Sequence, residues 1–397
     1  MSAPIAIYVH LPWCVRKCPY CDFNSHVRPE SIPETEYVAA LLADLEGDLD
    51  LAVGREVSSV FLGGGTPSLF GVGAIAALIE GLASRLPFAR DVEITMEANP
   101  GTIEHGRFAG YAKAGINRVS VGAQTFDAGA LRAIGRIHGP GEIGAAVSEL
   151  AAAGIGNFNL DLMYGLPGQT LDGALSDVEA AIALGPAHLS HYQLTLEPGT
   201  AFFHRPPPLP DDERTFEMQL ECQRMLAAEG FAQYEISAYA RPGRQCRHNL
   251  NYWRFGDYLG IGAGAHGKAT VGGQVIRTEK RRSPREYLAG GGKAGAARRA
   301  VPATELPFEF MLNALRLAEG FRPADFERAT GLAVEVIRPS LAALEARGLL
   351  GSESGRVRPT ERGFRFLNDI QVAFLPAASA VTIRQPARRT QANPAPV

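Results

Sequence analysis

The chain reads as an α/β protein: a parallel sheet flanked by helices, followed by a small helical unit. Three observations predict this. Short apolar runs alternate with longer amphipathic stretches over the first 200 residues. Each run is followed by a glycine-rich or polar group. Beyond residue 300 the pattern changes to helical periodicity and one hairpin signal. With 46% hydrophobic and 20% charged residues, the composition is that of a soluble globular protein. A net charge of −3 gives no electrostatic case for a nucleic-acid partner. The N-terminus lacks the basic and apolar regions of a signal peptide, and no run of about eighteen apolar residues predicts a membrane span. Five cysteines, three of them clustered, fit a reducing compartment, so the expected location is the cytoplasm.

Six runs read as strands: Ile5–His10, Val57–Leu62, Val92–Met96, Val119–Gly122, Phe158–Met163 and Leu189–Leu194. Between them, Tyr37–Leu51, Ile75–Leu82, Phe108–Ala114, Ile143–Ala153 and Leu171–Leu184 carry helical spacing. Helical crossovers between successive strands imply a parallel sheet. An α/β barrel, complete or partial, is the first reading, and an open doubly wound sheet the second.

The first strand leads into Trp13-Cys14-Val15-Arg16-Lys17-Cys18-Pro19-Tyr20-Cys21, a C-x3-C-x2-C loop. Three thiolates exceed what a redox dithiol needs and fall one short of a closed structural zinc site. Iron–sulfur clusters are held by cysteine thiolates, and three ligands for four irons leave one iron open to a small molecule. Zinc remains the alternative, with His10, Cys222 or Cys246 as fourth ligand.

The other strand ends are also distinctive. The second runs into Gly63-Gly64-Gly65-Thr66-Pro67, the third ends at Glu97-Ala98-Asn99-Pro100, the fourth at Gly122-Ala123-Gln124, and the fifth carries Asp161. In a parallel barrel these ends share one face, where the active site lies. Glycines allow close backbone approach to a ligand. Glu97, Gln124 and Asp161 can hydrogen-bond ribose hydroxyls or an ammonium, and Arg136 can pair with a carboxylate. A molecule with an amino-acid end and a nucleoside end would use all of these.

Pro206-Pro207-Pro208-Leu209-Pro210 reads as an extended connector, followed by a helix over Glu213–Glu229 and a short strand over Phe231–Ile236. Cys246-Arg247-His248-Asn249-Leu250-Asn251-Tyr252-Trp253 crowds an imidazole and two aromatics together. This is either a packed loop or a porphyrin site with His248 as an iron ligand and Cys246 as a second candidate. Gly260–Gly267 reads as a glycine-rich loop outside any strand–helix unit, Glu279-Lys280-Arg281-Arg282 as a solvated basic run that would also suit porphyrin propionates, and residues 289–300 as a mobile linker. Residues 305–372 give a helix at Phe308–Leu317, one from Pro323, one over Val334–Arg347, and a hairpin about Gly355. That order is winged-helix-like. Eight arginines against six acids between Arg322 and Arg365 leave it no basic face for DNA. Pro376–Val397 reads as disordered.

The string Y-x-H-x-P-W-C-x3-C-x-Y-C-x-F after a strand, joined to G-G-G-T-P, resembles the cluster loop of the radical S-adenosylmethionine (SAM) superfamily. Within it, the chain is similar to the oxygen-independent coproporphyrinogen III oxidase-like branch over most of residues 5–370. The resemblance implies a partial (β/α)6 barrel over residues 1–205. An extension over 206–300 carries the H-N-x-x-Y-W motif and the linker. A small helical, winged-helix-like domain over 301–375 and a tail over 376–397 follow. It implies a 4Fe-4S cluster on Cys14, Cys18 and Cys21, and SAM contacts at Tyr8, Gly64, Gly65, Thr66, Glu97, Gln124, Arg136 and Asp161. Two functions occur in the branch: coproporphyrinogen III oxidation, and haem chaperoning with delivery to acceptor haemoproteins such as respiratory enzymes. The oxidases carry a fourth cysteine where this chain has Phe23, and an extension before the cluster strand. The H-N-x-x-Y-W string, with His248 as the candidate haem residue, resembles a motif of the chaperones. The chaperone is therefore the expectation, with haem as ligand. An electron donor to the cluster, membrane-associated acceptors and a monomer or cluster-dependent dimer complete it.

Overall fold

The computed structural model describes residues 3–101, 106–292 and 297–376. The six expected strands are present: β1 (Ile5–Leu11), β2 (Val57–Gly64), β3 (Phe88–Ala98), β4 (Arg118–Gln124), β5 (Phe158–Tyr164) and β6 (His188–Gln193). They pair in chain order, all parallel. Their continuous burial is what a parallel sheet covered on both faces requires. The connecting helices are α1 (Glu34–Glu46), α2 (Val72–Ala83), α3 (Phe108–Lys113), α4 (Ala128–Ala133), α5 (Pro140–Ala152) and α6 (Leu171–Ala183). Ile75, Leu78, Ile79 and Leu82 of α2 show how the i, i+3, i+4, i+7 spacing becomes a buried stripe. Helix α7 (Asp212–Ala228) follows, its start fixed by the Asp211 carboxylate accepting from Arg214 N at 2.8 Å. The antiparallel strands β7 (Ala232–Glu235) and β8 (Ala238–Ala240) close this side of the sheet against β6. The 246–253 segment is a short helix, α8 (Arg247–Trp253).

Beyond β1 the sheet departs from the sequence reading. The expected glycine-rich loop contains a strand, β9 (Tyr258–Ile261), parallel to β1 on its other side. Next come β10 (His266–Val271), β11 (Gln274–Glu279) and, after α9 (Pro284–Ala289), β12 (Ala297–Ala300). The linker expected over 289–300 therefore ends in an edge strand. Gly260 is why β9 hides from a pattern search: a Cβ there would sit 1.9 Å from His266 O, so the strand must forgo a side chain to accept β10.

The basic run is solvated at Glu279, Arg281 and Arg282 but not at Lys280. Lys280 is buried and pairs with Asp44 at 2.5 Å and Asp48 at 2.6 Å. Asp44 accepts besides from Gly262 N at 3.0 Å and Tyr287 OH at 2.7 Å. Helix α1 is thereby bound to the added strands through one saturated polar knot.

A second apolar core lies under residues 301–374, where α10 (Leu306–Ala314), α11 (Pro323–Thr330) and α12 (Arg338–Ala346) precede the hairpin β13 (Leu350–Glu353) and β14 (Arg356–Pro359). Phe310 centres it, edge-on to Phe321 at 5.2 Å and Phe326 at 5.3 Å. Phe255 joins this core to the sheet. The tail expected over 376–397 falls, after residue 376, outside the described residues. Among the described residues no helix is long and apolar enough to cross a membrane.

Asp48 also pairs with Arg298, at 3.0 Å, so Lys280→Met, which keeps the stem and removes the ammonium, leaves buried Asp44 without a cation and Asp48 with Arg298 alone. Chemical denaturation should show a loss of about 3–5 kcal/mol. Arg298→Ala, at the exposed edge of the same knot, should cost ~1 kcal/mol or less.

Candidate functional site

The cysteine loop is anchored at its neck. Trp13 is buried and packs edge-on against Tyr37 at 4.7 Å and beside Phe70 at 5.8 Å. Trp13–Cys14 pairs with His26–Val27, and Arg28 N donates to Cys14 O at 2.8 Å. Within the loop Lys17 Nζ donates to the carbonyls of Phe23 and Ser25, both at 3.1 Å. Each sulfur has polar neighbours: Thr66 Oγ1 donates to Cys14 at 3.5 Å, Ser25 Oγ lies 3.6 Å from Cys21, and Arg136 Nη1 is 3.9 Å from Cys18. All three cysteines are free and half-buried, and burial pushes the Cys14 and Cys21 thiols up. Among the described residues no three His, Cys, Asp or Glu side chains gather to hold a single metal ion. The thiols line one cavity instead.

That cavity encloses about 340 Å³. Gly64, Gly65, Thr66, Glu97, Gln124, Arg136 and Asp161 all reach it, from four strand ends and the turn after α4. Its electrostatics are divided. Glu97 is pushed up to about 8 by burial and by Asp161, against one donor, Gly64 N at 3.1 Å. Burial likewise raises Asp161, against Ser120 Oγ at 3.0 Å and Asn159 Nδ2 at 2.8 Å. Neither forms an ion pair among the described residues, so this end of the cavity favours a cation or hydroxyl donors. At the other end Arg136 donates to Gly122 O at 2.8 Å and to Asn99 Oδ1, while its Nε is buried without a partner. An orphaned guanidinium donor beside a cavity suits an anionic group. Gln124 sits between them at φ 70°, a conformation rare for a side-chain-bearing residue, with Oε1 accepting from Tyr192 OH at 2.6 Å.

The glycines line this cavity and also have a structural part. Gly65 N and Thr66 N donate to Leu11 O and Trp13 O, both at 2.8 Å, and Gly64 N to Glu97. A Cβ on Gly64 would lie 2.3 Å from the His10 ring, and one on Gly65 2.7 Å from Leu11 O. They admit the chain's own cysteine loop; the Gly65 N–H is spent on it and the Gly64 N–H on Glu97.

Two expected residues lie off this cavity. Tyr8 faces an adjoining one, its OH 3.0 Å from His10 Nδ1. His248, the candidate haem residue, is 1% exposed. Its Nδ1 is 3.1 Å from Ser59 Oγ, its Nε2 3.0 Å from Tyr252 OH, and its ring stacks on Phe61. Both nitrogens are engaged inside the protein. Cys246 is fully buried beside Glu93. Asn99, Ser120, Asn159 and Tyr192 were missed. Asn99 stood in view beside Glu97 in E-A-N-P; the others lie within strands, where sequence alternation gives no hint of them.

A family model, the radical SAM superfamily, matches residues 8–181, and the HemN C-terminal domain matches residues 301–366. The chain is 50% identical over 373 residues to heme chaperone HemW of Escherichia coli (strain K12), covering 94% of this chain and 98% of that protein. It is 36% identical to heme chaperone HemW of Mycobacterium tuberculosis (strain H37Rv), over 94% and 95%. Among solved structures, coproporphyrinogen III oxidase (HemN) from Escherichia coli, described as a radical SAM enzyme, superposes with TM-score 0.78 at 23% identity, over 94% of this chain and 90% of that one. That likeness establishes the radical SAM fold with its C-terminal helical domain.

The raised Glu97 gives a signed pH effect. Between the ordinary carboxylate range and about pH 8, the unfolded carboxyl is ionised while the folded one holds its proton. Stability of the ligand-free protein should therefore fall as pH rises through that window, by up to about 5 kcal/mol from this group. Glu97→Gln should lose that share of the slope in denaturation curves taken across pH.

Proposed function

We propose that this chain, which belongs to the HemW family of haem chaperones within the radical SAM superfamily, binds haem and delivers it to acceptor haemoproteins. One observation carries the site: three free thiols, four polar groups from the strands and Arg136 line a single cavity. The donor set fits a cluster held on Cys14, Cys18 and Cys21, with SAM beside it. When bound, these two supply one-electron reduction and cleavage of the sulfonium. The protein's part is to orient and exclude. Arg136 pairs with the carboxylate, Gln124 and Thr66 offer side-chain polar groups, and Glu97 and Asp161 accept from ribose hydroxyls or hold a cation.

The finer architecture is proposed with it. The βα repeats of residues 1–205 form the partial (β/α)6 barrel, and 301–375, in the order three helices then hairpin, form the winged-helix-like domain. The acceptors include respiratory enzymes, some at membranes. The protein works in the cytoplasm with an electron donor for the cluster, as a monomer or a cluster-dependent dimer.

Phe23 favours chaperoning over coproporphyrinogen III oxidation. It stands where the oxidases have a further cysteine, and it is 59% exposed at the cavity edge. The test uses anaerobically reconstituted protein loaded with haem and mixed with an apo-haemoprotein acceptor. Haem should move to the acceptor, and coproporphyrinogen III supplied with SAM and reductant should be returned unchanged. Decarboxylated product would reverse the assignment.

A further inference from the structure

A second cavity, of about 440 Å³, adjoins the first and shares Phe23, Gly64 and Glu97 with it. That volume is in the range of cofactor sites, roughly 300–1,000 Å³. Its walls come from segments far apart in sequence: the end of β1, the cysteine loop, α8, and the β9–β10 turn. Tyr252 and Tyr258 meet edge to face at 4.4 Å and form an aromatic wall. Each is held by its hydroxyl, Tyr252 by His248 Nε2 at 3.0 Å and Tyr258 by Arg277 Nη1 at 3.1 Å. Phe23 stands exposed at the rim.

Two histidines reach this cavity. His10 has both nitrogens engaged, Nδ1 with Tyr8 OH and Nε2 with Asn24 O, each at 3.0 Å. His266, the first residue of β10, is exposed, and its imidazole makes no hydrogen bond among the described residues. Arg282 lies at the same cavity with its guanidinium in no ion pair among the described residues. Apolar aromatic faces, one free imidazole and one free guanidinium are what an iron porphyrin with propionate arms asks of a site.

We propose that this second cavity is the haem subsite, with His266 as the axial ligand of the iron and Arg282 paired to a propionate. The proposal rests on the haem-binding reading above and names its site. The imidazole donates a nitrogen lone pair to iron as a solvent ligand leaves, and no electron is transferred. His248 becomes a positioning residue: through Tyr252 OH it sets the aromatic wall without touching iron. The H-N-x-x-Y-W motif then serves haem through Tyr252.

The test is a ferric haem titration of the full, anaerobically reconstituted chain, followed by its Soret band. The wild type should bind one haem per chain saturably. His266→Ala should weaken binding about tenfold or more, shift the band, and regain the wild-type spectrum when free imidazole is added. His248→Ala should weaken binding while leaving the band position unchanged. A His266→Ala protein with wild-type affinity and spectrum overturns the site and leaves the haem reading standing. A wild type that takes up no haem overturns both.

Discussion

The site depends on the missing side chains of Gly64 and Gly65. Strand β2 ends against the return of β1 so closely that a Cβ at either position would strike the His10 ring or the Leu11–Trp13 backbone. Because there is none, Gly65 N and Thr66 N can hydrogen-bond Leu11 O and Trp13 O and extend the pairing past the strand end. This seats the start of the cysteine loop on the sheet and brings Thr66 Oγ1 to Cys14. Trp13, wedged between Tyr37 and Phe70, fixes it from the other side. The thiols are thus held at the same mouth as the strand-end polar groups.

Charge is distributed to match. Glu97 is buried with a single donor beside Asp161, which Ser190, Asn159, Ser120 and the nearby Arg118 support, while Arg136 lies across the cavity. Such an arrangement is costly in the empty protein and is relieved by a ligand carrying both signs. The added strands β9–β12 supply the opposite need. Their Lys280, Tyr287 and Gly262 saturate Asp44 and Asp48, so this knot gives rigidity and leaves no donor for a ligand.

Much of this was legible in the sequence, for a physical reason. Parallel strands are apolar on both faces, so β1 to β6 announce themselves as runs, and whatever follows each run must lie on one side of the sheet. That logic placed Thr66, Glu97, Gln124, Arg136 and Asp161 at one cavity with the cysteines. It failed where a contact is set by partners distant in sequence. β9 has two aliphatic residues and a glycine shaped by β10. Lys280 looks solvated unless Asp44 and Asp48 are seen beneath it. His248 reads as an open imidazole in the sequence, and only the fold shows Ser59 and Phe61, about 190 residues earlier, against its ring. A motif names the residue types, and only the packing shows which of them face a ligand.

The most direct test of the central claim is the electron paramagnetic resonance spectrum of the reduced, anaerobically reconstituted protein, recorded with and without SAM. The account predicts a 4Fe-4S signal that shifts on adding SAM, because three cysteines leave one iron open to it. A signal indifferent to SAM, or zinc in place of iron and sulfide, would contradict it.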